Sequence, residues 1–230
     1  QNNILYPYAS DFDAEGCNIV GGDTNVVSTK VKNSFMTGKD NRQRGSHSFV
    51  SGELNYLYGN NGNVFGMSNT VGLSGQTDST TFGHLSLAVG KRNDLTGDYS
   101  LMGGKDNRDV QVLDDQATNA IRGSYSLTWG ETNKTWAKYS ITTGISNKAG
   151  GDYSAVFGES NENGADQSDT AKWNLLSGQF NKALNSQHSI LVGELNTVGE
   201  ITPSSSDSGK YCGVFGQENT VKGKWSYAFG

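Results

Sequence analysis

Twelve times along this chain a glycine is followed three residues later by an asparagine, and the spacing of these pairs limits what the chain can fold into. The glycines are Gly22, Gly38, Gly52, Gly66, Gly90, Gly104, Gly130, Gly144, Gly158, Gly178, Gly193 and Gly216, with Gly230 closing the series. Their partners are Asn25, Asn41, Asn55, Asn69, Asn93, Asn107, Asn133, Asn147, Asn161, Asn181, Asn196 and Asn219. Successive glycines lie 16, 14, 14, 24, 14, 26, 14, 14, 20, 15, 23 and 14 residues apart, a base period of 14 with residues added in some units. A constant period is the signature of stacked repeats. Fourteen residues are too few for a helix pair and suit one coil of two short strands and two tight turns.

Composition supports an ordered repeat. Gly accounts for 31 of 230 residues but Pro for only 2, which is not the Pro/Gly mixture of a linker. Recurrent Gly also rules out heptads. No apolar run approaches the roughly 18 residues of a membrane-spanning helix. The net charge of −5 comes from 18 basic against 23 acidic residues, with no long basic block, so neither nucleic acid nor membrane is an expected partner. The chain opens on Gln1 without an initiator Met, as a processed or excised piece would.

The unit reads S-Φ-x-Φ-G-x-x-N-x-Φ-x-G-x-(Tyr/His/Trp). β-Branched and aromatic residues fill its first positions, as a strand prefers. The glycine is expected to close that strand, and the Asn to adopt the left-handed region in the turn. Stacking would bring the Asn side chains into one bonded ladder. Stretches such as Ser100–Gly104, Ser189–Gly193 and Cys212–Gly216 carry apolar residues on both strand faces. One coil has a single interior, so the second apolar face predicts an oligomer built around these strands. The residue before each Ser forms another column: His47, Tyr99, Tyr125, Tyr139, Tyr153, Trp173, His188, Tyr211 and Trp225. It reads as stacked aromatic packing, with a ligand surface as the alternative.

Four units carry insertions, at 75–83, 109–120, 162–170 and 200–209, each between the unit's Asn and the next aromatic-Ser pair. They should leave the stack along one edge, where solenoids often bind partners, although decoration of an exposed edge explains them as well. The candidate receptor-binding residues in them are Phe82, Asp109, Val112, Leu113, Asp114, Asp115 and Ile201. Outward apolar positions add Leu54, Phe180 and Leu195 in the first turn, and Tyr58 and Trp136 on the second strand.

Enzyme signatures are missing: no G-x-S-x-G elbow, no phosphate loop with Lys, no H-E-x-x-H. His47, His84 and His188 are well separated, and Asp114-Asp115 suits a solvated loop. Carboxylates gathered from distant coils, as in a glycosidase, stay open as an alternative. No cofactor or metal is expected. Cys17 and Cys212 fall in the first and twelfth coils; at about 4.8 Å per step they stand on the order of 50 Å apart, too far for a disulfide. Both should be small buried hydrophobes.

The segments Asn33–Gly38, Ser86–Gly90 and Ser226–Gly230, with a second Gly before the next Ser (Gly45, Gly97, Gly123, Gly151, Gly223), resemble the NSVAIG-type repeat of YadA-like heads in trimeric autotransporter adhesins. The likeness covers roughly residues 17–230. It implies an all-β, left-handed parallel β-roll of about 13 coils, after an N-terminal segment or cap at 1–16, assembled as a homotrimer. It further implies display on the outer membrane of a Gram-negative bacterium, and a host partner: an extracellular-matrix protein or a surface glycoprotein such as an immunoglobulin-superfamily receptor. A section of a trimeric bacteriophage tail fibre is the alternative, since similar repeats occur there. Ala at the third position stands only at Ala88 and Ala228, and a strict Asn replaces the family's more usual Ser.

Overall fold

The computed structural model describes residues 4–5, 16, 18–19, 22–27, 31–72, 85–109, 125–164, 171–199 and 209–230. No helix occurs among them. They form two compact units, Gln1–Val110 and Gln111–Gly230. Both units have the same plan: long strands of mostly five residues alternate with short strands of two or three, and each kind pairs in parallel only with its own kind.

In the first unit the five-residue strands are Phe35–Lys39, Phe49–Glu53, Asn63–Met67, Leu87–Lys91 and Leu101–Lys105. Between them run Arg42–Gln43, Tyr56–Leu57, Thr70–Val71 and Asp94–Leu95. Register is kept position by position: Phe35 opposes Phe49, Gly38 opposes Gly52, and Arg42 opposes Tyr56. The insertion after Gly72 does not disturb it, because Asn63 still opposes Leu87 and Gly66 opposes Gly90. Near the N-terminus, Ile4–Leu5 pairs with Val26–Val27 and Asn18–Ile19 with Phe35–Met36, so segment 1–16 supplies a short strand to the stack. The second unit repeats this with Leu127–Glu131, Ile141–Ile145, Ala155–Glu159, Leu175–Gln179, Ile190–Glu194, Gly213–Gln217 and Tyr227–Phe229.

The core lies between the two sheets. Met36, Val50, Val64, Ala88 and Met102 from long strands meet Val27, Leu57, Val71 and Leu95 from short ones in one buried cluster. Val156, Leu176, Leu191 and Val214 do the same with Ala149, Ala183, Val198 and Val221 in the second unit. The inward residue of a long strand is therefore the middle x of S-Φ-x-Φ-G. The two Φ positions beside it face outward, and Phe35 and Thr37 are half-buried on either side of a fully buried Met36. Cys212 is buried and free, in the Ser position of its unit. Burial pushes its thiol pKa up. Cys17 lies outside the described residues.

Two expectations are corrected. The repeat glycine does not end its strand: Gly38 is the fourth of five residues, at φ +109°, and Lys39 continues the pairing. Its role is close approach, since a Cβ on Gly144 would lie 1.9 Å from the Gly158 carbonyl oxygen of the next rung. The Asn, likewise, is not the left-handed residue of the turn. That conformation falls on the residue before it, as at Asp40, Leu54, Arg92, Phe180 and Leu195. The Asn is inside the roll, where Asn147 is fully buried. Asn147 Nδ2 shares its hydrogens among Asn133 Oδ1 (3.2 Å), Thr143 O (2.9 Å) and Gly158 O (2.7 Å). Its own Oδ1 accepts from the backbone N–H and the side-chain amide of Asn161, at 3.0 and 3.1 Å. Asparagine is selected here because one side chain carries both a two-hydrogen donor and a separate carbonyl acceptor; an ionised Asp only accepts, Leu does neither, and the single short hydroxyl of Ser has one hydrogen to give.

These contacts set two measurable outcomes. Gly144→Ala should lower stability by more than about 3 kcal/mol, because strained backbone and a backbone clash add, whereas Gly223→Ala should cost far less. A Cβ on Gly223 meets only the Ser226 hydroxyl, at 2.9 Å, which can rotate away. Thermal melts of the two variants decide it.

Asn147→Asp should be worse than Asn147→Ala at neutral pH, because it leaves a carboxylate facing three carbonyl oxygens; Ala should cost about 2 kcal/mol. Burial raises the folded-state pKa of such an Asp above its unfolded value of about 3.9. Its penalty relative to the parent therefore grows as pH rises through that value and fades below it, which denaturant titrations across pH would register.

Candidate binding surfaces

Three exposed columns arise from the register, because any residue type repeated at one unit position becomes a stripe at the strand spacing of about 4.8 Å. The first is the outer face of the long-strand sheet. In the second unit it presents Leu127 and Trp129, Ile141, Phe157, Leu175, Ile190, Phe215, and Tyr227 with Phe229. Trp129 is 48% and Ile190 43% exposed, so among the described residues nothing covers this apolar face. In the first unit Phe35, Phe49 and Phe65 stack along it at 4.8 and 5.2 Å. A cleft of about 370 Å³ opens beside them, lined by Asn33, Phe35, His47, Phe49 and Asn63 among others.

The second column is the corner before the Ser. Tyr125, Tyr139, Tyr153, Trp173, His188, Tyr211 and Trp225 form a continuous ladder with centroids 4.2–5.6 Å apart and planes within 10°. Every one has a φ of 54–58° and they are 37–64% exposed, His188 included among the exposed positions. A bulky residue in the left-handed region is strained by about 1–2 kcal/mol, and each ring pair returns about 0.5–1.5 kcal/mol. Stacking thus roughly offsets the strain. In the first unit the same corner holds Asn33, His47, Asn61, Leu85 and Tyr99, with Asn, the residue that tolerates this φ best, at two of the five. There His47 Nε2 lies 3.4 Å from Asn33 Nδ2.

The third column is the opposite corner, before the ladder Asn. Leu54, Phe180 and Leu195 stand there at φ 53–57° and 38–43% exposure, as their spacing predicted. Tyr58 and Trp136 are half-buried and sit one residue beyond the short strands Tyr56–Leu57 and Lys134–Thr135, not on them. Leu54 and Tyr58 belong to the first unit, the other three to the second.

Among the insertion residues, Phe82, Val112, Leu113, Asp114, Asp115 and Ile201 lie outside the described residues, and so does His84. Asp109 ends a short strand, its backbone opposite Leu95. Glu162–Asn163, expected to begin an insertion, is also a short strand, in register with Lys148–Ala149 and Lys182–Ala183. The physical reason is that a polar residue can fill the inward Φ slot when it finds a partner inside. Asn163 is fully buried, and its Oδ1 accepts from Asn174 Nδ2 at 2.9 Å. Thr128, Thr135 and Thr142 solve the same problem with hydroxyls 2.8 and 3.0 Å apart.

Charge on the rungs is mostly paired. Arg92 bonds Asp106 at 2.6 Å, Lys148 bonds Glu162 at 3.2 Å, and Arg108 stands 3.6 Å from Asp94. Desolvation pushes the Asp94 pKa up, against the opposing pull of Arg108. Arg42 and Arg44 are different: their guanidinium carbons lie 5.6 and 5.5 Å from the ring centroids of Tyr56 and Tyr58. Spacing alone could have found this pair, since Arg42-Gln43-Arg44 and Tyr56-Leu57-Tyr58 are one base period apart. No group of His, Cys, Asp and Glu side chains with metal-holding geometry occurs among the described residues.

The strain balance of the ladder can be measured. Tyr139→Asn relieves the left-handed backbone while losing two ring contacts, so its melting free energy should stay within about 1 kcal/mol of the parent. Tyr139→Ala loses the contacts without that relief and should cost about 2 kcal/mol. Equal losses for both variants would show that the rings do not carry the corner.

Comparison with known proteins adds no identification: no protein-family model matches the chain, and no curated protein does.

Proposed function

We propose that this chain is the head of a bacterial surface adhesin: a left-handed roll of 14-residue coils that trimerises through its long-strand sheets and attaches to a host protein. The observation that carries the reading is the uncovered apolar face. The inward column already supplies a complete core, with Met36, Val50, Leu176 and Leu191 fully buried. A second row of Leu, Ile, Phe and Trp on the outside of the same sheet serves no purpose in one chain. Isolated apolar residues on a surface are ordinary, but a continuous strip marks an interface. Identical strips on identical chains suit closed rotational symmetry, and the NSVAIG-like units support three copies around one axis.

Attachment would then fall to what remains exposed in the trimer. The edge bearing the insertions is our choice, with Asp109 at the root of the longest one and Leu54, Phe180 and Leu195 as apolar anchors on the rungs. Each of these three holds a strained φ while leaving 38–43% of its surface exposed, so burial offsets the strain only in part. The partner class is a host surface glycoprotein or matrix protein, and the location the exterior of the outer membrane.

Sedimentation of the purified chain at micromolar concentration should give a trimer and no well-folded monomer; a stable folded monomer would sink the assembly. For attachment, the trimer should capture a protein from biotinylated host-cell surfaces. Replacing 109–120 by a regular turn should abolish capture and leave the trimer intact, because loop changes at a solenoid edge cost little. If every insertion were replaceable without effect, the repeat surface or segment 1–16 would be the attachment site.

A further inference from the structure

We infer that Arg42, Arg44, Tyr56 and Tyr58 form a binding site for a linear anionic polysaccharide, on the outer face of the short-strand sheet in the first unit. Gln43, between the two arginines, points inward and is 1% exposed, so alternation puts both arginines on the solvent side. Arg42 and Arg44 are exposed, and Tyr56 and Tyr58 beneath them are half-buried. Each guanidinium lies over the ring one rung away, at 5.6 and 5.5 Å from the centroid.

Among the described residues, neither arginine has a carboxylate partner, whereas Arg92 and Arg108 on the same unit are paired with Asp106 and Asp94. In a chain of net charge −5, two adjacent unpaired guanidiniums are a local exception. A guanidinium held over a ring at this distance is drawn to it by the cation–π attraction, loses rotamer freedom in advance, and has N–H groups left to offer a ligand. Those groups match sulfate or carboxylate in a bidentate fork. Two residues along a strand separate the two forks by roughly 7 Å, so the ligand carries two anionic groups about that far apart on one backbone.

The register adds a place for the sugar. Tyr56-Leu57 opposes Thr70-Val71, so Gly72 stands at the Tyr58 position of the next rung and brings no side chain over its ring. Arg44 lies over the Tyr58 ring; among the described residues, the next rung places only Gly72 beside the ring, which leaves room for a flat apolar surface such as the C–H face of a pyranose. Nucleic acid fits less well, because affinity for it is built from many phosphate contacts along a basic track and this patch supplies two cations in an acidic chain. The patch is on the side of the core away from the apolar strip. Polysaccharide binding therefore needs neither the trimer nor a host receptor, and its loss would leave both readings standing.

The test uses the full chain and a fluorescein-labelled heparin oligosaccharide at low salt, read by anisotropy. Arg42→Ala and Arg44→Ala should each weaken binding about tenfold, as expected for losing a charge-assisted hydrogen bond. The double lysine variant, R42K/R44K, should weaken it comparably, since an ammonium neither forks nor stacks as well. Tyr58→Leu should cost about two- to fivefold. Unlabelled heparin should displace the label; displacement by hyaluronan as well, which carries carboxylates and no sulfate, assigns carboxylate as the anion read, and its failure to compete assigns sulfate. Lys134→Ala/Lys182→Ala removes two cations from the second unit's short strands and should change nothing. The inference is overturned if that control loses as much as the arginine variants, if R42K/R44K binds like the parent, if a DNA duplex competes as well as the glycans, or if heparin does not bind.

Discussion

The repeat glycine and its asparagine are one device. The glycine carbonyl of each rung comes so close to the glycine of the rung before that no Cβ fits between them: one on Gly52 would lie 1.9 Å from the Gly66 carbonyl oxygen. The same carbonyl is where the buried amide points: Asn55 Nδ2 donates to Gly66 O at 2.9 Å while its oxygen serves Asn69. Removing either partner would leave a buried polar group unpaired, which costs more than the bond itself contributes. Rung spacing, register and the inward or outward sense of every other position are referred to this pair.

The corners are then a forced choice. Both turns put a non-glycine residue at positive φ, at Leu54 and His47 in one rung as at Phe180 and Trp173 in another. Where Asn takes the position the strain is small. Where Tyr, Trp or His takes it, as at all seven such corners described in the second unit, stacking supplies the compensation, and the rungs become coupled through their outsides as well as their insides. Strain along this edge is therefore distributed, with no single residue responsible for it.

Much of this is legible in the sequence. Periodicity places the strands, the Asn ladder and the aromatic column, and it anticipates the exposure of Leu54, Phe180 and Leu195. It also marks a strand with two apolar faces, but not which residue of S-Φ-x-Φ-G turns inward, since Leu101 and Met102 are equally apolar. Propensity assigns the Asn to the turn because Asn tolerates positive φ, an argument that yields to its capacity to donate and accept inside the roll. Polar pairs favour loops, so Glu162–Asn163 reads as part of an insertion. Only the buried partner Asn174, 11 residues away, makes it a strand. Contacts between rungs are invisible to any local pattern.

Because backbone, glycine and asparagine carry the stack, the outward positions are free to vary without loss of register. Asn63 and Leu87 oppose one another as well as Leu175 and Ile190 do. A ligand-binding surface on such a scaffold is not found among the repeated glycines, asparagines and corner rings, since stacking explains those positions. It lies in the departures: a bulky side chain at a strained corner, two arginines laid on tyrosine rings, a glycine where a neighbouring rung has tyrosine. The scaffold holds such departures at fixed spacings of about 4.8 Å between rungs and about 7 Å along a strand. Those two distances, more than the identity of any one residue, decide which ligands the surface can grip at two points at once.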